Sequence, residues 1–262
     1  MVSYNKKTIL QIFNILTPII CLAFLSLLSM GQGDFNAGFG QGEDSLIDPV
    51  GFAFAIWGPI FVFLSIFLIY QARDLFKSAE NKIKMDYVHQ VSIYFILSTI
   101  FTSLWYLFWI YQIIWLSTLS MILYLVSLVI GYLRLKINLV ERSTKEKWAV
   151  VVPWSMYTAW VTAATIISIK TFLMSIGFNE PMFLLSDTYW AVIVLLVALV
   201  IYTAAVLTRN DYVYGGVGIW VLLGILIERL TSSEIVIEVV ITAIVGMVVL
   251  LGAIIYQVMK KK

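Results

Sequence analysis

Apolar runs of membrane-crossing length recur along this chain, separated by short connectors that hold nearly all of its charge. A helix needs about 20 predominantly apolar residues to cross the hydrocarbon core. Eight runs approach that length: residues 10–30, 52–70, 91–110, 114–133, 148–169, 189–207, 212–227 and 235–259. The first is too long for a signal-peptide core and lacks a small-residue cleavage site, so it reads as a helix and not a removed leader. The pattern predicts an all-α integral membrane protein, a bundle of eight transmembrane helices. Pro59 and Pro153 fall inside the second and fifth runs, where a ring without an N–H removes one helical hydrogen bond. Both are expected to bend their helices.

The connectors set the orientation. With both termini cytoplasmic, every Lys and Arg except Lys170 and Arg229 falls on the inner side, fifteen of the seventeen. An odd number of spans would destroy that asymmetry, which follows the positive-inside rule. The connector over residues 31–50 has the opposite character: glycine-rich, acidic, and free of Lys and Arg. Glycine permits many backbone conformations, which suits either a lid or a plain connector.

Composition narrows the function classes. The chain is 61% hydrophobic and 12% charged, against roughly 45–50% and 25% in soluble domains. The single cysteine, Cys21, excludes an internal disulfide and any cysteine cage for zinc or iron–sulfur. With His89 the only histidine, no multi-histidine metal site can form within one chain. No metal site, covalently bound cofactor or catalytic residue is expected, and no nucleic-acid-binding pattern is present. No Lys, Arg, His or Asp lies near the middle of a run, which disfavours ion pathways and proton relays. It also removes the Schiff-base lysine that a retinal protein needs. His89 reads as an interfacial polar residue, and no nucleophile has a base beside it.

What the runs do carry is aromatic. Phe54, Trp57, Phe61 and Leu68 share one face of the second helix, and Thr102, Trp105, Tyr106 and Trp109 one face of the third. On the fifth helix Pro153, Tyr157, Trp160 and Ala164 fall on one face. Ser155, Thr158, Ala159, Thr162 and Ala163 fall on roughly the other, a small face suited to close helix packing. Trp115, Trp148 and Trp190 sit near run ends, where tryptophan is a common interfacial anchor. Trp57, Trp105 and Trp160 lie deeper. Flat walls with a few hydrogen-bond donors are what a site for a planar apolar ligand requires.

At these residues the chain resembles a known family. The stretch from Asp48 to Pro59, DPVGFAFAIWGP, looks like the start of the second helix of the TspO/MBR family, the translocator protein or peripheral benzodiazepine receptor family. The likeness is closest to its longer microbial branch of tryptophan-rich sensory proteins. Residues 97–109, LSTIFTSLWYLFW, resemble the family's third helix at Trp105. Residues 153–168 resemble its fifth at Tyr157, Trp160, Val161, Thr162 and Ala164. Thr102 and Ser168 stand where the family carries asparagine, and Pro153 lies four residues before Tyr157 instead of beside it.

The resemblance covers roughly residues 9–170. It implies a TspO-like five-helix ligand-binding core over residues 1–170, with three additional transmembrane helices over 171–262. It also implies a pocket for a porphyrin or another planar apolar molecule of tetrapyrrole, sterol or isoprenoid type. By the same resemblance Trp57, Trp105, Tyr157, Trp160 and Ala164 line or support that pocket, and Phe54, Phe61, Thr102 and Trp109 are expected to join them from the shared helix faces. The added helices either cover the face that short members use for dimerisation or build a second cavity, so a homodimer stays open. A prokaryotic plasma membrane is the expected location. A ligand-binding sensor is the favoured reading. A facilitator of a small neutral or amphipathic metabolite, hinged at Pro59 and Pro153, stands against it, with light-dependent porphyrin breakdown as a weaker third.

Overall fold

A computed structural model describes residues 2–30, 45–178, 186–233 and 235–260. Most of the glycine-rich connector read as a lid (31–44), the Glu180–Pro181 loop, Lys261 and Lys262 lie outside the described residues. Helix is the only regular secondary structure among those described. Helix α1 is Val2–Met30. A 3-10 segment, Gly51–Ile56, runs straight into α2, Trp57–Ala72. Then come α3 (Asp86–Val91), α4 (Tyr94–Ile110) and α5 (Ile114–Arg134). The short α6, Thr144–Glu146, continues through a π-helical stretch, Lys147–Val151, into α7, Val152–Ser175. Helices α8 (Asp187–Arg209), α9 (Tyr212–Thr231) and α10 (Ile237–Lys260) complete the chain.

Seven helical stretches among the described residues are long and apolar enough to cross a membrane, so the chain is an α-helical integral membrane protein. The third of the eight expected runs differs. Helix α4 is apolar but has only 17 residues, roughly 25 Å at 1.5 Å per residue, short of a core of about 30 Å. The break lies at Ser92, whose φ of 51° is incompatible with a right-handed helix. It separates α3 from α4 and moves the start of the helix expected over 91–110 to Tyr94.

Both prolines sit where their missing donors do least harm. Pro59 is the third residue of α2, directly after the 3-10 segment, in a first turn where the N–H groups lack i−4 partners anyway. Pro153 follows the π-helical stretch, and such a widened turn takes up the mismatch a proline brings.

The chain forms two compact units, residues 1–39 with 59–154, and residues 40–58 with 155–262. In the first unit α4 and α5 form a hairpin through Tyr111–Ile113. Gln112 takes φ 57°, and the Ile113 N–H donates back to the Phe108 carbonyl at 2.8 Å. Helix α1 packs on α3 and α4, and α3 on α5. Aromatic rings fill the interior: Phe67, Phe95 and Trp154 lie 5.5–6.4 Å apart between centroids. The Trp154 ring, fully buried, rests on the bare backbone of Gly131. A methyl group at position 131 would run into that ring, so Gly131→Ala is expected to destabilise by about 1–3 kcal/mol through overpacking. Thermal unfolding in detergent, followed by circular dichroism, checks this; an unchanged melting temperature contradicts it.

In the second unit α8, α9 and α10 pack on one another. Glycine sets their spacing: a Cβ on Gly218 would come within 2.7 Å of the Tyr202 ring and 3.1 Å of Leu250. Small residues allow this approach where no hydrophobic effect drives helices together. Tyr202 then donates its hydroxyl to the Ala159 carbonyl at 2.8 Å. At the head of α9, Asp211 accepts from the Tyr214 N–H at 3.1 Å and from Ser155 Oγ at 2.6 Å, capping the helix and tying it to α7.

Candidate functional site

The candidate site grows from the 3-10 segment of the second unit. The segment has no internal α-helical bonds, and α9 holds it. The Val50 N–H donates to the Gly224 carbonyl at 3.1 Å, and the Trp220 indole N–H to the Ala53 carbonyl at 2.8 Å. The Phe52 ring meets Trp220 edge-on at 5.6 Å. Gly224 is needed for this, because a Cβ there would lie 2.9 Å from the side chains of Ala53 and Pro49.

So anchored, the segment presents Phe54 to α7, and α2 presents Trp57, its first residue. Phe54 meets Trp160 edge-on, centroids 5.6 Å apart and planes at 88°. Trp57 meets Trp160 at 6.3 Å and Tyr157 at 6.4 Å, again edge-on. Such geometry places the positive rim of one ring on the negative face of the next. Tyr157 and Trp160 are buried; Phe54 is 41% exposed and forms the open side of the cluster. The Trp160 indole N–H is buried and has no hydrogen-bond partner. The cluster therefore has flat walls, one open edge and one unused donor.

Of the nine residues expected to line a pocket, the structure links Phe54, Trp57, Tyr157 and Trp160 in one chain of ring contacts. Ala164, half-buried, lies one turn beyond Trp160 on α7. Phe61, Thr102, Trp105 and Trp109 belong to the first unit. There Phe61 is exposed, and Trp105 packs on Tyr106 at 6.4 Å and accepts at its carbonyl from Ser117 Oγ. A cavity of about 480 Å³ in the second unit is lined by none of the nine.

Sequence reasoning missed a polar cluster in the first unit. Lys7, Gln11 and Asn14 occupy one stripe of α1, and all three are buried against Gln71 at the end of α2 and Asp74 in the turn after it. Lys7 Nζ lies 2.5 Å from Asp74 Oδ2 and donates to the Ile83 carbonyl at 2.8 Å. Gln11 Nε2 donates to the Gln71 carbonyl and to Asp74 Oδ1, and Asn14 Nδ2 to Gln71 Oε1. Burial works to raise the Asp74 carboxyl. Hydrogen bonds from Lys7, Gln11 and the Ile83 N–H outweigh it and hold the group below its usual value. The i, i+4, i+7 spacing of polar residues entering an apolar run is the signal that would have found this stripe.

The family described as TSPO-like protein has a model that matches residues 8–256. No curated protein and no solved structure matches the chain.

Proposed function

The chain belongs to the TSPO-like protein family, and from that premise we propose that it is a membrane ligand-binding or sensory protein. Its ligand is a planar apolar molecule of porphyrin type, held by the Phe54, Trp57, Tyr157 and Trp160 cluster. The unpartnered Trp160 indole N–H carries this reading. A buried donor left unmatched costs about 1–3 kcal/mol, and a ligand acceptor stacked among the rings would recover it. Phe54, on the open side, is the ring a ligand would displace first.

The proposal includes the placement. Eight spans, with α4 as the short one, and both termini in the cytoplasm of a prokaryote give the best distribution of basic residues. The five-helix core over 1–170 and the added helices over 171–262 belong to the same reading.

Quenching of intrinsic tryptophan fluorescence by protoporphyrin in detergent tests it. Saturation at one site per chain is expected, with Trp160→Phe weakening the affinity roughly tenfold, equivalent to about 1.4 kcal/mol. A smaller loss is expected for Trp57→Phe. Non-saturating quenching equal to that of an unrelated tryptophan-rich membrane protein would sink the porphyrin reading.

A second reading, a facilitator for a small neutral metabolite, draws on one observation. The chain passes between its compact units at residues 58–59 and 154–155, beside Pro59 and Pro153. Solute flux into proteoliposomes that slows in Pro59→Ala and Pro153→Ala would favour it.

A further inference from the structure

The 480 Å³ cavity of the second unit lies between α7 and α8, with Ile47 and Phe178 contributing to its wall. Its size is in the range of small-molecule sites. Ile166, Leu173 and Val194 give it apolar sides, and Ile169, Ile193 and Val197 line it from positions that are also exposed on the helix surfaces. On helices that cross a bilayer, exposed apolar side chains of this kind meet hydrocarbon. At one end stand Lys170 and Asp187, paired with each other. The Lys170 side chain is only 15% exposed, whereas Asp187 is 43% exposed.

We propose that this cavity is a phospholipid site: it takes an acyl chain from the surrounding bilayer, and the Lys170–Asp187 pair receives a headgroup carrying both a phosphate and a primary ammonium. An apolar cavity offers water too few partners to fill it, and left empty it forfeits the dispersion contacts of its walls. A hydrocarbon chain supplies those contacts, and the bilayer supplies the chain. The charges select the head. A purely anionic headgroup meets attraction from Lys170 and repulsion from Asp187 together. A neutral tail uses neither. A headgroup of both signs sets its phosphate on Lys170 Nζ and its ammonium on the exposed side of the Asp187 carboxylate, leaving no charge uncompensated. This inference does not rest on the porphyrin reading, since the aromatic cluster lines no part of this cavity.

Native mass spectrometry of the detergent-purified full chain, titrated with phosphatidylethanolamine or with phosphatidylglycerol of the same acyl composition, tests the site. Wild type is expected to retain one phosphatidylethanolamine per chain with roughly tenfold preference over phosphatidylglycerol. Ile193→Trp, which fills the cavity from an exposed position, is expected to abolish retention of both while preserving helicity. Asp187→Asn keeps the cavity and removes the partner of the ammonium, so it is expected to erase the preference and raise phosphatidylglycerol retention. This second variant carries the test should Ile193→Trp fail to fold. Equal retention of the two lipids by wild type, or a preference untouched by Asp187→Asn, overturns the proposal.

Discussion

Asp74→Asn is expected to destabilise the protein by about 3–5 kcal/mol, because removing one member of a buried ion pair leaves the other charge uncompensated. The pair is closed off from solvent, with side chains 3% exposed for Lys7 and 0% for Asp74. The same carboxylate also accepts from Gln11 and from the Ile83 N–H, so the loss reaches three donors on two segments. The double variant Lys7→Met/Asp74→Leu is expected to recover part of the stability, since it removes the uncompensated charge but leaves the Ile83 N–H and carbonyl without their side-chain partners. The pH dependence has a definite sign. The folded-state value of Asp74 lies below the usual 3.8, so its contribution is full above about pH 4 and disappears as pH falls through the lowered value. Melting temperatures in detergent should therefore show wild type far above Asp74→Asn at neutral pH, with the gap narrowing only under strong acid. A gap independent of acidification contradicts the assignment.

Asp211→Ala is expected to cost roughly 2–4 kcal/mol, combining a lost helix cap with a buried hydroxyl deprived of its charged acceptor. One carboxylate oxygen caps α9 at the Tyr214 N–H, and the other accepts from Ser155 on α7. The residue is 1% exposed, so water cannot replace either bond. Asp211→Asn keeps an acceptor for the cap and should lose less. Comparing the two by thermal unfolding separates the cap from the charge, and equal losses would show that the cap contributes nothing beyond the bond to Ser155.

The membrane class and most helices are legible in the apolar runs, because span length and connector charge act locally. The departures come from tertiary geometry. Val91-Ser92-Ile93 carries no breaker, yet Ser92 takes a positive φ that delays the start of the third helix to Tyr94. Residues 51–56 sit in an apolar run, yet wind as a 3-10 segment held by bonds from α9. At the candidate site, helical spacing identifies Phe54, Trp57, Tyr157 and Trp160, since each faces its neighbours at a regular interval. It does not reveal the unmatched Trp160 donor, because hydrogen-bond satisfaction depends on what the other elements bring. The Lys7 stripe was hidden for another reason. Its members are single polar residues near a run end, where snorkelling to the interface is the ordinary expectation.

The docking of the 3-10 segment on α9 has a consequence for biosynthesis. Ala53 waits for Trp220, 167 residues later in the chain. At a translation rate of about 5–20 residues per second, that interval is roughly 8–33 seconds. For that time the nascent chain emerging from the ribosome must keep the segment without its permanent partner. A truncated polypeptide ending before α9 would keep it so indefinitely, which makes the arrival of the late helices the event that completes the aromatic cluster's footing.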